Sequence, residues 1–424
     1  MKMAVIGGGS TYTPELVAGL IERAPLLGLE RLVLMDIDAE RLAVVGGFCR
    51  RMCDHAGAGF ALDTSAALDP ALDGADFVIT QIRVGGQAGR QRDIQLGLRR
   101  GVIGQETTGV GGFAKALRTV PVVLDICRRM RRLCPQAWLI NFTNPSGLVT
   151  EAVLKHGGQP VIGLCNIPIN MKMDAARLLG VEPERVQLDI IGLNHLSWVR
   201  RVLVDGRDVL PQTLERLTGA GRPANLPEEL DYPDAFLRAL GAIPNSYLRY
   251  YYATGQALAE LQRKPLSRAE EVMAVERALL ERYRDPALVT KPAELEQRGG
   301  AYYSTAAVEL MASLVTGDGR VHVVDVRNGE TIGALPPDCA VEVACRVDSG
   351  GPQPLALEPP GPAIRGLMQQ VKAYEELAVE AAVQRDRDRA VLALVAHPLV
   401  GDAELALRLV DDIAREHGIE WSPA

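Results

Sequence analysis

The chain opens on a run that leaves few folds available to it. Met3-Ala-Val-Ile6 is a short apolar stretch of strand formers, and it passes directly into Gly7-Gly8-Gly9-Ser10-Thr11-Tyr12. Thr13 then reads as an N-cap, Pro14 as the first helical position and Glu15 as an acidic residue of the first turn. The alternation repeats. Arg31–Met35, Phe77–Ile82, Trp138–Phe142 and Val161–Leu164 are predicted strands, and the spacing predicts helices over 39–54, 115–133 and 146–155. Short buried strands alternating with helices of this length are βαβ units, and they build a parallel sheet.

Near residue 186 the pattern changes. Val186–Ile191 and Trp198–Val204 read as antiparallel strands, the second ending at the turn dipeptide Asp205-Gly206. Beyond about residue 227 the chain is mostly helical, with later strands at Val321–Val326 and Val341–Val347. The Pro/Gly-rich stretch from Ser349 to Pro362 reads as loop, and two or three helices close the chain. The expected fold is α/β: a Rossmann-type parallel-sheet domain over 1–165, then an α+β domain over 166–424 for metal, substrate and oligomer contacts. A chain of 424 residues carries two domains comfortably.

Composition narrows the class. Charged residues make up 23% and the net charge is −7, with no basic tract longer than Arg128-Arg129 and Arg131-Arg132. That balance argues against a general nucleic-acid binder. No apolar run reaches the roughly 18 residues that span a bilayer, so no membrane partner is expected. Seven scattered cysteines form no framework, which points to a reducing compartment and a cytoplasmic enzyme.

The glycine loop lets backbone approach a pyrophosphate, with Gly7, Gly9, Ser10 and Thr11 as its binding residues. Tyr12 stands where a third glycine is usual. Asp36, at the end of the second strand, is placed to accept bonds from ribose hydroxyls, and its charge favours NAD over NADP. The bland alternative is a strand–turn–helix junction with a capping aspartate. Asn141-Phe-Thr-Asn144-Pro145 also follows a strand; it serves either a ligand or a simple turn. Arg83, Arg90, Arg92 and Arg268 are candidate anion ligands, although any one of them taken singly reads as surface arginine.

Two further stretches end apolar runs on a metal-binding side chain: Val161-Ile-Gly-Leu-Cys165 and Ile190-Ile-Gly-Leu-Asn194-His195. A thiolate and an imidazole aimed from two strand ends make a plausible half-set of ligands for a divalent ion. Individually each is more often a buried core residue. Aromatics are only 4% of the chain, so the cluster Tyr247, Tyr250, Tyr251 and Tyr252 stands out. On a helix, Tyr247, Tyr250 and Tyr251 share one face, and spacing does not choose among them.

These motifs converge. Gly7-Gly-Gly-Ser-Thr-Tyr-Thr-Pro-Glu15, Arg83-Val-Gly-Gly86, Gly104-Gln-Glu-Thr-Thr-Gly109, Asn141-Phe-Thr-Asn-Pro145, Gly163-Leu-Cys-Asn166, Gly192-Leu-Asn-His195 and Asn245-Ser-Tyr-Leu-Arg-Tyr-Tyr251 resemble family 4 of the glycoside hydrolases, most of all its 6-phospho-β-glucosidases. The likeness runs down to Ala396-His-Pro-Leu399. This NAD-dependent family departs from two-carboxylate glycosidase chemistry. The resemblance implies NAD and a divalent metal, typically Mn2+, held on Cys165 and His195. It implies transient oxidation at C3 of the sugar, removal of the C2 proton by Tyr247, loss of the aglycone, addition of water and re-reduction. The metal would act as a Lewis acid on the C2 and C3 oxygens. Arg83, Glu106 and Asn144 match cofactor-binding positions; Arg90, Asn144, Asn166 and Arg268 match substrate positions. Cys-Asn at 165–166 is the β-acting form, where α-acting members carry Cys-Asp. Where the family shows Arg-x-x-Asp-Glu, this chain has Arg90-Gln-Arg-Asp93-Ile94, which keeps an unphosphorylated sugar open as substrate. A small phosphorylated β-glucoside is the expected partner, and a homodimer or homotetramer the expected assembly. A 2-hydroxyacid dehydrogenase of the lactate/malate type shares such a sheet and is the rival reading, but it has no use for the Cys165/His195 pair.

Overall fold

The computed structural model describes residues 1–218, 232–298 and 302–423. Its main sheet begins with six parallel strands: β1 (Lys2–Ile6), β2 (Arg31–Met35), β3 (Ala61–Ser65), β4 (Phe77–Thr80), β5 (Trp138–Asn141) and β6 (Val161–Gly163). Strand β1 lies between β2 and β4, in parallel register with both. Its residues Met3, Ala4 and Val5 are fully buried, as expected of a strand covered by helices on both faces.

A small antiparallel sheet follows, made of β7 (Val186–Leu193), β8 (Leu196–Val204), β9 (Arg207–Asp208) and β10 (Ile243–Pro244). The chain then returns to the main sheet. Strands β11 (Arg320–Arg327), β12 (Ala340–Asp348) and β13 (Gly351–Pro354) add antiparallel beside β6, giving the order β13-β12-β11-β6-β5-β4-β1-β2-β3. The sheet therefore crosses the expected division at residue 165: three of its strands come from the second half of the chain.

Several local expectations are corrected. The stretch 349–362 was expected to be loop, but Gly351–Pro354 is an edge strand. Pro352 and Pro354 are tolerated there because an edge needs no ladder donor on its outer side. The segment after β4, for which no helix was expected, turns at Gly85 into a helix, Gly86–Arg99, and Arg90 sits on it. Thr13 is the first residue of its helix, and Tyr12 takes the N-cap with no side-chain bond. The helix expected from 115 starts at Gly109. Glycine permits this early start by close approach: a Cβ on Gly111 would lie 2.2 Å from the carbonyl oxygen of Gln105. The turn holding Glu106 is thereby pressed against the helix. Tyr247 lies in a short 3₁₀ turn, Ser246–Leu248, ahead of the helix Arg249–Tyr252, so the tyrosines do not share one continuous helical face.

A buried ionic group ties the second half to the sheet. Lys372, on the helix Pro362–Gln384, pairs with Glu151 and Glu375. Glu151 also accepts from the backbone N–H of Ala340 at 3.0 Å and pairs with Lys155 at 2.9 Å. Lys372 is 1% exposed and Glu151 fully buried. Removing one partner of such a pair leaves an uncompensated buried charge. Lys372→Met should lower unfolding free energy by about 3–5 kcal/mol in urea titrations at neutral pH. A midpoint equal to that of the unmodified chain would show that the group contributes nothing net.

Candidate active site

The end of β1 and the end of β2 meet at the glycine loop. Gly7 N–H and Gly8 N–H both donate to the Met35 carbonyl, at 2.9 and 2.8 Å. Gly7 has φ +94°, and a Cβ there would lie 2.9 Å from the Gln81 carbonyl oxygen. A Cβ on Gly9 would lie 2.9 Å from Asp36 Oδ2, the atom that accepts from Gly9 N–H at 2.9 Å. Asp36 Oδ1 accepts from Asp38 N–H at 3.0 Å. Its carboxylate is thus fixed at the loop with lone pairs left over. Ser10 Oγ accepts from Tyr12 N–H at 3.3 Å. Thr11 is fully buried, and its Oγ1 has no partner among the described residues. A compact glycine turn, a helix N-terminus, a fixed carboxylate and an orphaned hydroxyl fit a dinucleotide.

Beyond β4 stands a cluster built on one carboxylate. Glu106 pairs with Arg83, with Arg90 at 2.7 Å and with Lys115 at 3.1 Å. Burial alone would raise its pKa, but the three cations, Arg83 foremost, hold the carboxyl well below the usual carboxylate range. Burial, with Arg83 next to it, brings Lys115 down to about 7. Three of the expected residues, Arg83, Arg90 and Glu106, are therefore in one place. Lys115 was not anticipated, although a lysine inside the buried run Gly109-Val-Gly-Gly-Phe-Ala-Lys115 is itself a signal, because lysine is rarely buried without a partner.

Cys165 stands two residues past the end of β6, its sulfur accepting from Ile167 N–H at 3.5 Å. Leu193 pairs with Leu196 across β7 and β8, so Asn194 and His195 are the two loop residues of a tight hairpin. His195 has φ +64°, in the left-handed region. The result is that Cys165 Sγ and His195 Nε2 lie 3.4 Å apart. The Tyr247 ring stacks flat on the His195 ring, with centroids 3.9 Å apart and planes 6° apart. Tyr250 packs edge-on against Tyr247, with ring centroids 6.0 Å apart, and makes no ring contact with His195 among those described; the other two tyrosines are used elsewhere. Tyr251 stacks near His397 at 6.2 Å, and Tyr252 OH accepts from Trp198 Nε1 at 3.0 Å. Geometry singles out Tyr247 where spacing could not.

Burial leaves the trio uncharged near neutrality. Burial, then Glu342, pushes the Cys165 thiol up; burial, then Cys165, pushes the Tyr247 phenol up. Burial, then Lys115, brings His195 down to about 3. His195 thus keeps a free lone pair near neutrality. A soft sulfur and a neutral imidazole within reach of one ion are a donor set for a divalent transition metal. Among the described residues no group of three or more His, Cys, Asp or Glu forms around an ion. Two donors leave coordination positions for substrate oxygens.

The remaining expected residues divide. Asn144 is half-buried at the end of β5, its Oδ1 accepting from Ser146 N–H at 3.3 Å. Asn141, in the same motif, is consumed internally by Thr80, Thr150 and the nearby backbone. Asn166 follows Cys165 at the N-cap of the helix Ile167–Leu179, but its side chain makes no capping bond. Arg268 is not drawn into the cluster. It starts the helix Arg268–Arg284, is 49% exposed and pairs with Glu271 at 3.0 Å. Its neighbour Ser267 reaches Gln91, next to Arg90. Glu342 and Ser197, buried beside His195, were missed. Glu342 in the apolar strand Ala340-Val-Glu-Val-Ala344 carried the signal, a carboxylate where a core residue was due.

No helix among the described residues is long and apolar enough to cross a membrane. Comparison with known proteins places the chain. The family model "Family 4 glycosyl hydrolase" matches residues 2–181, and its C-terminal domain model matches residues 190–400. A 6-phospho-beta-glucosidase of Thermotoga maritima is 40% identical, aligned over 97% of both chains. A 6-phospho-beta-glucosidase of Escherichia coli is 39% identical, over 96% of this chain and 94% of that one. A structure of the Thermotoga maritima enzyme with manganese, NAD+ and glucose-6-phosphate superposes with TM-score 0.91 at 37% identity, covering 100% of both chains. A malate dehydrogenase of Plasmodium falciparum superposes with TM-score 0.55 at 12% identity over 90% of this chain and 98% of that one, a likeness of fold alone. The chain belongs to family 4 of the glycosyl hydrolases.

Proposed function

We propose that this protein hydrolyses 6-phospho-β-glucosides to glucose 6-phosphate and an aglycone, with NAD and a divalent metal, Mn2+ by preference, as cofactors. The observation that carries the reading is the convergence of Cys165 Sγ, His195 Nε2 and the Tyr247 ring at one point. The relatives named for this activity, aligned nearly end to end, support it. So does Asn166 directly after Cys165, the β-acting form.

Gly7, Gly9, Ser10 and Thr11 bind the pyrophosphate, and Asp36 the adenosine ribose. Arg83, Glu106 and Asn144 complete the cofactor pocket. Cys165 and His195 hold the ion; when bound, NAD+ supplies a reversible hydride acceptor for C3, and the ion supplies a Lewis acid. With C3 oxidised, the C2 hydrogen becomes acidic, and Tyr247, as the phenolate that a cation held on Cys165 and His195 would favour, takes it as a proton. The electron pair left on C2 expels the aglycone from C1. Water adds to the resulting enone, and the ketone is returned to an alcohol, so NAD+ is not consumed. The net positive charge of Arg83, Arg90 and Lys115 over Glu106 suits an anionic substrate beside it. We assign Arg90 and Arg268 to the phosphate and Asn144 and Asn166 to sugar hydroxyls. The same reading carries a cytoplasmic location and a homodimer or homotetramer; the scattered thiols, none of them paired, suit a reducing compartment.

A chromogenic 6-phospho-β-glucoside tests the whole: aglycone should be released in the presence of NAD+ and Mn2+ without net NADH. Stoichiometric NADH would favour a dehydrogenase instead. Tyr247→Phe should lose both hydrolysis and exchange of the C2 hydrogen into deuterated water by about 10²–10⁴-fold, the usual share of a general base, while still binding NAD+. Retained exchange would move that role elsewhere. Asp36 should make NAD+ bind far better than NADP+, whose 2′-phosphate would face a carboxylate; calorimetry showing the reverse preference would remove Asp36 from the ribose site.

A further inference from the structure

We infer that Glu342 is the positioning residue that sets the metal ligand His195 and the base Tyr247 relative to each other. The inference rests on the roles proposed above for those two residues. Glu342 touches neither of them. It lies near the start of β12, 1% exposed, directly opposite Asp325 of β11. Its two oxygens take separate partners. Oε1 accepts from Asn194 Nδ2 at 3.0 Å, and Oε2 accepts from Ser197 Oγ at 2.7 Å. Asn194 and Ser197 bracket His195 on the tip of the β7–β8 hairpin. That tip is unusual for its sequence: His195 is a side-chain-bearing residue at positive φ, a conformation that persists only when its surroundings impose it. The buried hydrogen bond that Glu342 takes from Asn194, the residue directly before His195, is such an imposition.

The second arm runs to the base. Ser197 Oγ, having given its hydrogen to Glu342, accepts from Asn245 Nδ2 at 2.9 Å, and Asn245 N–H donates to the Ser197 carbonyl at 3.0 Å. Asn245 Oδ1 then accepts from Tyr247 N–H at 3.0 Å and Leu248 N–H at 3.3 Å, closing the 3₁₀ turn that carries the phenol. One carboxylate on the main sheet therefore anchors, through two short chains, residues that are far apart in sequence and must stack at 3.9 Å. Groups outside a metal's own ligands fix ligand orientation in this way, and their loss typically costs 10–100-fold in metal affinity or activity.

The arms are separable, which a merely structural role is not. Three readouts apply to the full-length protein with NAD+: Mn2+ affinity by electron paramagnetic resonance, C2-hydrogen exchange in deuterated water at saturating Mn2+, and the melting temperature. Asn194→Ala should weaken Mn2+ binding about 10-fold or more while exchange at saturating metal stays within about two- to threefold of the unmodified enzyme. Ser197→Ala should do the reverse, lowering exchange about 10-fold or more with Mn2+ affinity nearly unchanged. Glu342→Gln should impair both. If Glu342→Gln fails to fold, the two single-arm variants still decide the matter. Unchanged affinity and exchange in the arm variants, or a loss of both in step with the melting temperature, overturns the inference. His195→Ala and Tyr247→Phe serve as controls: should these leave Mn2+ binding and exchange intact, the proposed site itself fails, independently of Glu342.

Discussion

The direction of the strands governs this molecule. In a parallel sheet covered on both faces, every connection that leaves the carboxyl end of a strand emerges on the same edge. Here β1 delivers the glycine loop there, β2 delivers Asp36, β4 delivers Arg83, β5 delivers Asn144 and β6 delivers Cys165. Five stretches spread over more than a hundred residues are thus brought to one crevice by topology alone, before any of their side chains interact.

What the parallel strands cannot supply arrives from the second half of the chain. The β7–β8 hairpin brings His195 to within 3.4 Å of Cys165, and the turn after β10 lays Tyr247 on it. Strands β11 and β12 extend the sheet past β6 and place Asp325 and Glu342 behind the site, both fully buried. Burying acidic groups next to a thiol raises every pKa among them, so each gives up its proton less readily. A cation shared by the sulfur and the imidazole, as proposed, would offset that cost. The cationic cluster on Glu106 completes the contrast, setting positive charge on another side of the crevice.

The strands were legible to within a residue or two wherever they are apolar on both faces, as in β1, β2, β5 and β6, since a buried parallel strand writes itself as a continuous hydrophobic run. Half-exposed β3 and the proline-bearing edge β13 carry no such run and were not anticipated. The helix holding Arg90 was hidden by its glycines, whose purpose is close packing: a Cβ on Gly97 would lie 2.5 Å from the Ile103 carbonyl. Cys165 and His195 were recognisable as two donors at strand ends, and the fold sets them 3.4 Å apart; the roles expected of the other residues came from the family motifs.

By itself, then, the sequence determined the α/β class, the dinucleotide loop with its acidic partner, and the residue types a metal would choose. These are local properties, written in spacing, polarity and glycine placement within a few residues. Tertiary structure alone decided which tyrosine meets the histidine, that Arg83, Arg90 and Lys115 share one carboxylate, and that Glu342 stands behind both His195 and Tyr247. Those facts depend on contacts between segments up to about 150 residues apart, as from Asn194 to Glu342 (|i−j| of 148). No periodicity in the chain records such a contact, because it is set by how whole strands and helices pack and by the cost of leaving a buried charge without its partner.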